Sequence, residues 1–241
     1  LNHIDGALTI DSGAFKPSTA GYTVDSDSSG RLPTLKLDGG ATANLTGTLT
    51  VGNNFAGAME ILGGSDVGNT IANVGYGAGS TGVMTVDGSG STWTSTGSLH
   101  VGYNGTGTLN ITSGGNVIGV NGYLGVTSGS MGTVAIEGAG STWTSSGTVF
   151  SVGRIGTGNL TVSDGGSLVT AIGYIGYYAG SAGTVTVDGT DATWNDSSHL
   201  SVGYQGGGTL NITGGGLVAN DYGYIGDQAG STGTVSVGDR S

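Results

Sequence analysis

The sequence predicts an all-β fold, a right-handed parallel β-helix with about 25 residues in each coil. Three observations lead to this prediction. Short segments that alternate apolar and polar residues recur at a nearly constant interval. Trp93, Trp143 and Trp194 recur in similar local sequences at intervals of 50 and 51 residues. Glycine, which supplies 54 of the 241 residues, separates the alternating segments, as expected where a solenoid chain turns corners.

The alternating segments align in two apolar columns, which we expect to line the core. From Thr34 to Thr234 the segments begin at steps of 24 to 26 residues. The first column is Leu35, Met59, Met84, Leu109, Val134, Leu160, Val185, Leu210 and Val235. The second column is Leu37, Ile61, Val86, Ile111, Ile136, Val162, Val187, Ile212 and Val237. Since alternation buries one face of a strand and the interval lays each strand beside the last, the pattern predicts stacked strands.

Two further apolar series complete each coil. One is followed by glycine at every step, and its members are Val51, Val74, Val101, Leu124, Val152, Ile175, Val202 and Ile225. The other includes the tryptophans, and its members are Trp93, Val117, Trp143, Val169, Trp194 and Val218. Three short strands in each coil describe a parallel β-helix, and crossovers between parallel strands are right-handed in about 98% of known cases.

The strength of the repeat divides the chain in two. Residues 34–241 are predicted to form the repetitive β-helix, as a fragment of a longer protein. Residues 1–33 contain both prolines, Pro17 and Pro33, and match the repeat only loosely at 7–10. We expect this first segment to be an irregular N-terminal coil or a cap.

Composition excludes several kinds of partner. Five Lys and Arg residues stand against 16 Asp and Glu residues, so the formal net charge is −11. Nucleic-acid binding needs a basic surface that releases phosphate counterions, and no nucleic-acid partner is expected. No apolar run approaches the ~20 residues of a membrane-spanning helix, so direct membrane insertion by this segment is not expected. The chain has no Cys, which excludes disulfides and thiolate metal ligands.

The polar residues predict no catalytic, cofactor or metal site. Asp196 and His199 are close in sequence, but we interpret their segment as a polar turn. Three acids end equivalent segments in alternate coils, namely Asp87, Glu137 and Asp188. Alternate coils lie ~9.6 Å apart, which is too far for two acids to share one cation, and we interpret these acids as solvated turn residues.

Tyrosines flank the Val-Gly series and provide a candidate contact surface. If Val or Ile points inward, its neighbours along the strand point outward. The residues predicted to contact a partner are Tyr103, Tyr123, Arg154, Tyr174, Tyr177, Tyr204 and Tyr224. Exposed Tyr with Arg nearby is typical of contact surfaces. Aromatic stacking along the helix without any ligand is the alternative interpretation.

Three motifs resemble the repeats of autotransporter passenger domains, the exported parts of type V secretion proteins in Gram-negative bacteria. They are Val-Gly-Tyr-Asn-Gly-Thr-Gly-Thr-Leu-Asn-Ile-Thr at 101–112, Gly-Tyr-Leu-Gly at 122–125 and Gly-Ser-Thr-Trp-Thr at 140–144. The resemblance extends in repeated form from Gly52 to the C-terminus. It implies a right-handed β-helix in a cell-surface or secreted setting, often adhesive, and it supplies no catalytic residues.

We therefore expect a non-catalytic passenger that attaches to a host-cell receptor, a glycan or another bacterial surface. A stalk or scaffold that presents another effector is the first alternative. A carbohydrate-active enzyme is the second, because paired carboxylates can cleave sugars. Such an enzyme would group acids with basic residues, whereas the basic residues are scattered at Lys16, Arg31, Lys36, Arg154 and Arg240.

Overall fold

The computed structural model describes residues 2–3, 6–17, 21–27 and 31–238. Arg240 lies outside these residues. The described part of the chain is all β, with 27 strands in two sheets and every strand pairing parallel. The predicted parallel β-helix is confirmed.

The ten-stranded sheet takes one strand from each coil. Its strands are Ala7–Asp11, Thr34–Asp38, Ala56–Ile61, Thr81–Asp87, Thr106–Thr112, Met131–Glu137, Thr157–Ser163, Ala182–Asp188, Gly207–Thr213 and Thr232–Val237. Successive strands keep the register that the sequence predicts, with Leu109 opposite Val134 and Ile111 opposite Ile136. Because the register offset stays near 25 residues, equivalent side chains stack directly from coil to coil.

The seventeen-stranded sheet takes two strands from most coils, a first arm and a second arm. The first arms are Ala14–Phe15, Thr42–Asn44, Asp66–Asn69, Thr92–Ser95, Asn116–Gly119, Thr142–Ser145 and Leu217–Ala219. The second arms are Asn2–His3, Gly21–Val24, Thr48–Val51, Ile71–Val74, Ser98–Val101, Asn121–Leu124, Phe150–Val152 and Tyr222–Ile225. In two coils the arms form one strand, Ser167–Ile175 and Thr193–Val202.

The segment before Thr34 belongs to the same solenoid. Ala7–Asp11 pairs with Thr34–Asp38, so that Leu8 lies opposite Leu35 and Ile10 opposite Leu37. Gly21–Val24 pairs with Thr48–Val51. The described residues of this segment therefore form a coil in register with the next one, two residues longer than a typical coil.

One hydrophobic core runs between the sheets. Both predicted columns of the ten-stranded sheet and the Val-Gly series line it, and most members are fully buried, as at Leu109, Ile111 and Val101. Burying a Leu or Ile side chain contributes about 1.5–3 kcal/mol, so repetition of these columns provides most of the driving force for folding. In the last described coil, Ile225 and Val237 are exposed.

The prediction of one core residue, Val169, is wrong. Val169 is 38% exposed and lies opposite Thr144, whereas Leu168 is buried and lies opposite Trp143 and Trp194. Both residues are apolar, so the sequence alone does not tell which of them points inward. The alternation of side chains along the strand decides it in the structure.

Glycine at the Val-Gly corner is a steric requirement. Gly102 adopts a φ of 70°. A Cβ there would collide with the backbone carbonyl of Met131 in the next coil. Close approach between coils therefore requires both the positive φ and the absence of a side chain, which explains why glycine follows each member of the series.

Candidate functional site

Two outward columns of side chains lie on the second arms and the corners that follow them. In the first column, in-register pairing stacks Asn73, His100, Tyr123, Ser151, Tyr174, Ser201 and Tyr224. In the second, backbone hydrogen bonds continue past the corner glycine and stack Tyr76, Tyr103, Val126, Arg154, Tyr177, Tyr204 and Asp227. We call the rings of these columns, with Arg154, Tyr178 and His199, the aromatic face.

Packing inside the core forces the tyrosines outward. Tyr123 lies between Gly122 and Leu124, and Leu124 is fully buried. A Cβ on Gly122 would lie 2.6 Å from the Phe150 ring and 2.9 Å from the Trp143 ring. Each residue of the Gly-Tyr-Leu motif at 122–124 therefore has a packing role: the glycine leaves room for the core rings, the leucine fills the core and the tyrosine faces outward.

The first half of the face is the histidine–arginine cluster, which consists of Tyr76, His100, Tyr103, Tyr123 and Arg154. The Tyr76 and Tyr103 rings stack with centroids 5.0 Å apart, and His100 stacks on Tyr123 at 5.4 Å. The Arg154 guanidinium carbon lies 4.2 Å above the Tyr123 centroid, in cation–π geometry. These contacts join four coils through their outward side chains.

His100 is the titratable residue at the centre of this cluster. Its Nδ1 lies 2.9 Å from the Asn73 side-chain oxygen, at hydrogen-bond distance. Burial and the nearby Arg154 charge together lower the pKa of His100 to about 4. At neutral pH the imidazole is therefore uncharged, and Arg154 carries the positive charge of the cluster.

The second half is the tyrosine cluster, which consists of Tyr174, Tyr177, Tyr178, His199, Tyr204 and Tyr224. The Tyr177 and Tyr204 rings stack at 5.2 Å, while Tyr174 meets Tyr177 edge-on at 4.6 Å and Tyr204 at 5.0 Å. Burial raises the pKa of Tyr174, and the neighbouring tyrosines raise it further. The Tyr174 phenol therefore stays protonated and can donate a hydrogen bond at neutral pH.

The structure places all seven sequence-predicted contact residues on this face. Most keep partly exposed rings, and Tyr224 is 45% exposed. Tyr123 differs, because His100 and Arg154 leave it only 9% exposed. The expectation that its ring emerges is therefore wrong, and Tyr123 acts as a platform for Arg154.

The predicted contact residues leave out four aromatic members of the face, Tyr76, His100, Tyr178 and His199. His100 directly precedes Val101, as Tyr123 precedes Leu124, so the same positional signal was present. Tyr178 follows Tyr177 one residue beyond the aligned position and contacts its ring at 4.6 Å. His199 contacts Tyr174 at 5.5 Å from a strand that the sequence did not predict.

The Asp196–His199 segment is a strand, so the predicted polar turn is wrong. It lies within Thr193–Val202, and a register shift opposite Thr170–Ile172 absorbs the irregularity. Asp196 is buried and accepts a hydrogen bond from the Thr170 hydroxyl, which itself accepts one from the Trp194 indole. Burial raises the pKa of Asp196. Its polar contacts serve core packing, while His199 Nε2 lies 3.2 Å from the Tyr174 hydroxyl.

The acids that recur in alternate coils alternate with hydroxyl residues. The ladder at the end of the ten-stranded sheet is Asp87, Thr112, Glu137, Ser163, Asp188 and Thr213. Thr112 donates a 2.6 Å hydrogen bond to Asp87, and Thr213 donates one to Asp188. These acids end strands rather than occupy turns. Within the described ranges, no three His, Cys, Asp or Glu residues are grouped as metal ligands would be.

Comparison with known proteins yields no relative: no protein-family model, no curated protein and no solved structure matches this chain. Among residues 6–17, 21–27 and 31–238, no helix has the length and apolarity to cross a membrane.

Proposed function

We propose that this β-helix is a passenger-like binding protein of the bacterial surface or secreted space. In this proposal the aromatic face attaches to a host-cell receptor, a glycan or another bacterial surface, and the chain performs no catalysis. The resemblance of its repeats to autotransporter passengers supports the cellular setting. The aromatic face supports the binding role.

The observation that carries the proposal is the concentration of rings on one side of a rigid sheet. Tyr76 and Tyr178 are about as exposed as Tyr224, and Tyr103, Tyr177 and Tyr204 are partly exposed between them. Tyrosine offers a large contact area with few rotatable bonds, so binding costs little side-chain entropy. The in-register backbone holds the rings in place before any partner arrives, which reduces that cost further.

A structural scaffold is the second candidate, and one observation favours it. The rings contact one another, so stacking between coils accounts for part of their presence without a ligand. Aromatic pairs contribute about 0.5–1.5 kcal/mol beyond their buried area. On this alternative the face stabilises the coils and binds nothing.

The test is the triple variant Tyr103→Ser, Tyr174→Ser, Tyr204→Ser, assayed for binding to cells and to a glycan panel. We expect binding to fall at least about 10-fold, since buried tyrosines are frequent hot spots in interfaces. The matched control is Ile118→Ser, Met131→Ser, Val169→Ser, which removes three exposed apolar side chains outside the face. Circular dichroism should show native β-structure in both variants at the assay temperature.

The two candidate functions give different outcomes. Loss of binding in the tyrosine variant but not in its control supports attachment through the aromatic face. Full retention of binding in the tyrosine variant would contradict it. If the wild-type chain binds no cell and no glycan, while the tyrosine variant only melts earlier, the scaffold is correct.

A further inference from the structure

Arg154 is a cation with no ion-pair partner among the described residues of an acidic protein. The chain has five Lys and Arg residues in 241, and Lys36 forms an ion pair with Asp38 at 3.0 Å. No carboxylate of the described residues lies within ion-pair distance of the Arg154 guanidinium, whose close contact is the Tyr123 ring. With 16 acids available, this lack of a partner leaves the guanidinium's hydrogen-bond donors open to solvent or to a ligand.

The position of Arg154 is fixed by the solenoid. It lies in the second outward column, one coil from Tyr177 and two coils from Tyr103, with Val126 between. In the first column the same coil carries Ser151, a small side chain between Tyr123 and Tyr174. Coils are spaced ~4.8 Å apart, so the Arg154 backbone lies one strand spacing from that of Tyr177 and about two from that of Tyr103.

From this arrangement we infer that the aromatic face takes an oligosaccharide that carries one acidic sugar. The carboxylate would pair with the Arg154 guanidinium, whose planar donors match a carboxylate in bidentate geometry. Neutral sugars on either side would lie against Tyr103, Tyr177 and Tyr204, with apolar ring faces on the phenol rings and hydroxyls near the phenol oxygens. This inference rests on the proposed function and names its ligand class.

The charge distribution favours a single acid over a polyanion. Among the described residues, Arg154 is the one Lys or Arg of the aromatic face, and the next charged residue along its column is Asp227. Since the chain's formal net charge is −11, a polyanion would meet long-range repulsion and only one compensating charge. A single carboxylate on an otherwise neutral saccharide meets much less of that repulsion, because the repulsion grows with the charge of the ligand.

The test compares lactose with lactose that carries one terminal sialic acid, by titration calorimetry on the intact chain. We expect the wild type to bind the sialylated sugar at least about 10-fold more tightly, as for one hydrogen bond to a charged group. Arg154→Gln should abolish this preference, so that the variant binds the two sugars with similar affinity. Lys36→Gln is the matched control, because it removes one positive charge on the ten-stranded sheet and should keep the preference.

Equal binding of the two sugars by the wild type would overturn the inference, as would a preference that survives Arg154→Gln. Tighter binding of heparin than of the sialylated sugar would overturn the single-acid assignment. These failures differ from failure of the proposed function. If the triple tyrosine variant loses cell binding while no sialic-acid preference exists, attachment through the face stands and its ligand is not acidic. If that variant keeps cell binding, the proposed function falls.

Discussion

The same turns of the solenoid carry aromatic rings on opposite sides of one sheet, and the two sets obey different rules. Inside, Trp93, Trp143 and Trp194 are fully buried and occupy alternate coils. Outside, tyrosine and histidine rings stay partly exposed and contact one another from coil to coil. From Val67 to Val218 the inner column alternates between the smaller Val or Leu and indole, whereas the outer column mixes Asn, His, Tyr and Ser.

The difference follows from what each side must satisfy. A closed core has a fixed volume, so a large ring in one coil requires a smaller side chain in the next. An outward position faces solvent and tolerates almost any residue that is compatible with β-strand conformation. The rings outside are therefore not imposed by the fold, and this supports a role in contact beyond the core.

The largest expected effect comes from placing a charge on the inner side of a strand and, in a separate variant, on the outer side of the same strand. Ile111 is fully buried between Val86 and Ile136, whereas Asn110, its neighbour on the strand, faces out between Thr85 and Ala135. We expect Ile111→Asp to cost about 4 kcal/mol or more, because a carboxylate would be buried without a partner. Asn110→Asp should cost under about 1 kcal/mol. Thermal and urea unfolding of both variants measures the difference.

Each coil contacts only its neighbours, so the loss of structure in Ile111→Asp should spread from the Thr106–Thr112 strand to the adjacent coils of the solenoid. Amide hydrogen exchange would show which coils lose protection. Equal unfolding midpoints for the two variants would mean that the assignment of inner and outer sides is wrong.

The fold could be predicted because its rules repeat. Both apolar columns, the Val-Gly series and the parallel register follow from a constant interval, and each repeat supplies an independent check. The prediction failed where one repeat deviates. Leu168 and Val169 are both apolar, so only the alternation of the real strand distinguishes them. The segment 195–199 looked like a turn because it is polar, but its acid is satisfied inside the core by Thr170.

The site was predictable in position and not in detail. Alternation around the Val-Gly series places the tyrosines and Arg154 outward, and the structure agrees. Which rings are covered depends on how long side chains lie across coils. Arg154 reaches over Tyr123 from the next coil, and His100 closes the other side. Side-chain rotamers of this kind do not produce a periodic pattern in the sequence, so they could not be predicted from it.

A second prediction uses the titration of His100, a property of the outer side alone. Burial, together with the nearby Arg154 charge, lowers the pKa of His100 to about 4, below its ordinary value. The unfolded chain therefore binds a proton more readily, and stability that is present above pH 6.5 is lost as the pH falls towards 4. The loss is about 3 kcal/mol across that window. Urea unfolding at pH 7 and at pH 4.5 measures most of it.

His100→Gln is the control for this effect, because the amide fills part of the same site and does not titrate. The raised pKa of Asp196 acts in the opposite direction, since protonation then favours the folded chain, and it contributes equally to both proteins. The difference between the wild type and His100→Gln therefore isolates the imidazole. Parallel pH profiles for the two proteins would contradict the assignment of His100 as a partly buried neutral group.

The smallest expected effect lies within the inner column, where one indole differs from the other two. The Trp93 indole N–H donates to Asn69 at 2.7 Å, and that of Trp194 donates to Thr170 at 2.9 Å. Both acceptors stand 24 residues before their tryptophan. For Trp143 that position is Gly119, and the buried Trp143 Nε1 has no hydrogen-bond partner among the described residues.

Serine at position 119 should supply the missing acceptor. A Cβ on Gly119 would lie 3.9 Å from the Leu99 Cβ and 4.0 Å from Trp143 Nε1, so a side chain fits and its hydroxyl can reach the indole. We expect Gly119→Ser to stabilise the chain by about 1 kcal/mol, the worth of one buried hydrogen bond. Gly119→Ala is the control, since it restricts the unfolded chain similarly but offers no acceptor. Urea unfolding followed by tryptophan fluorescence should rank serine above alanine, and the reverse order would show that the Trp143 indole is already satisfied.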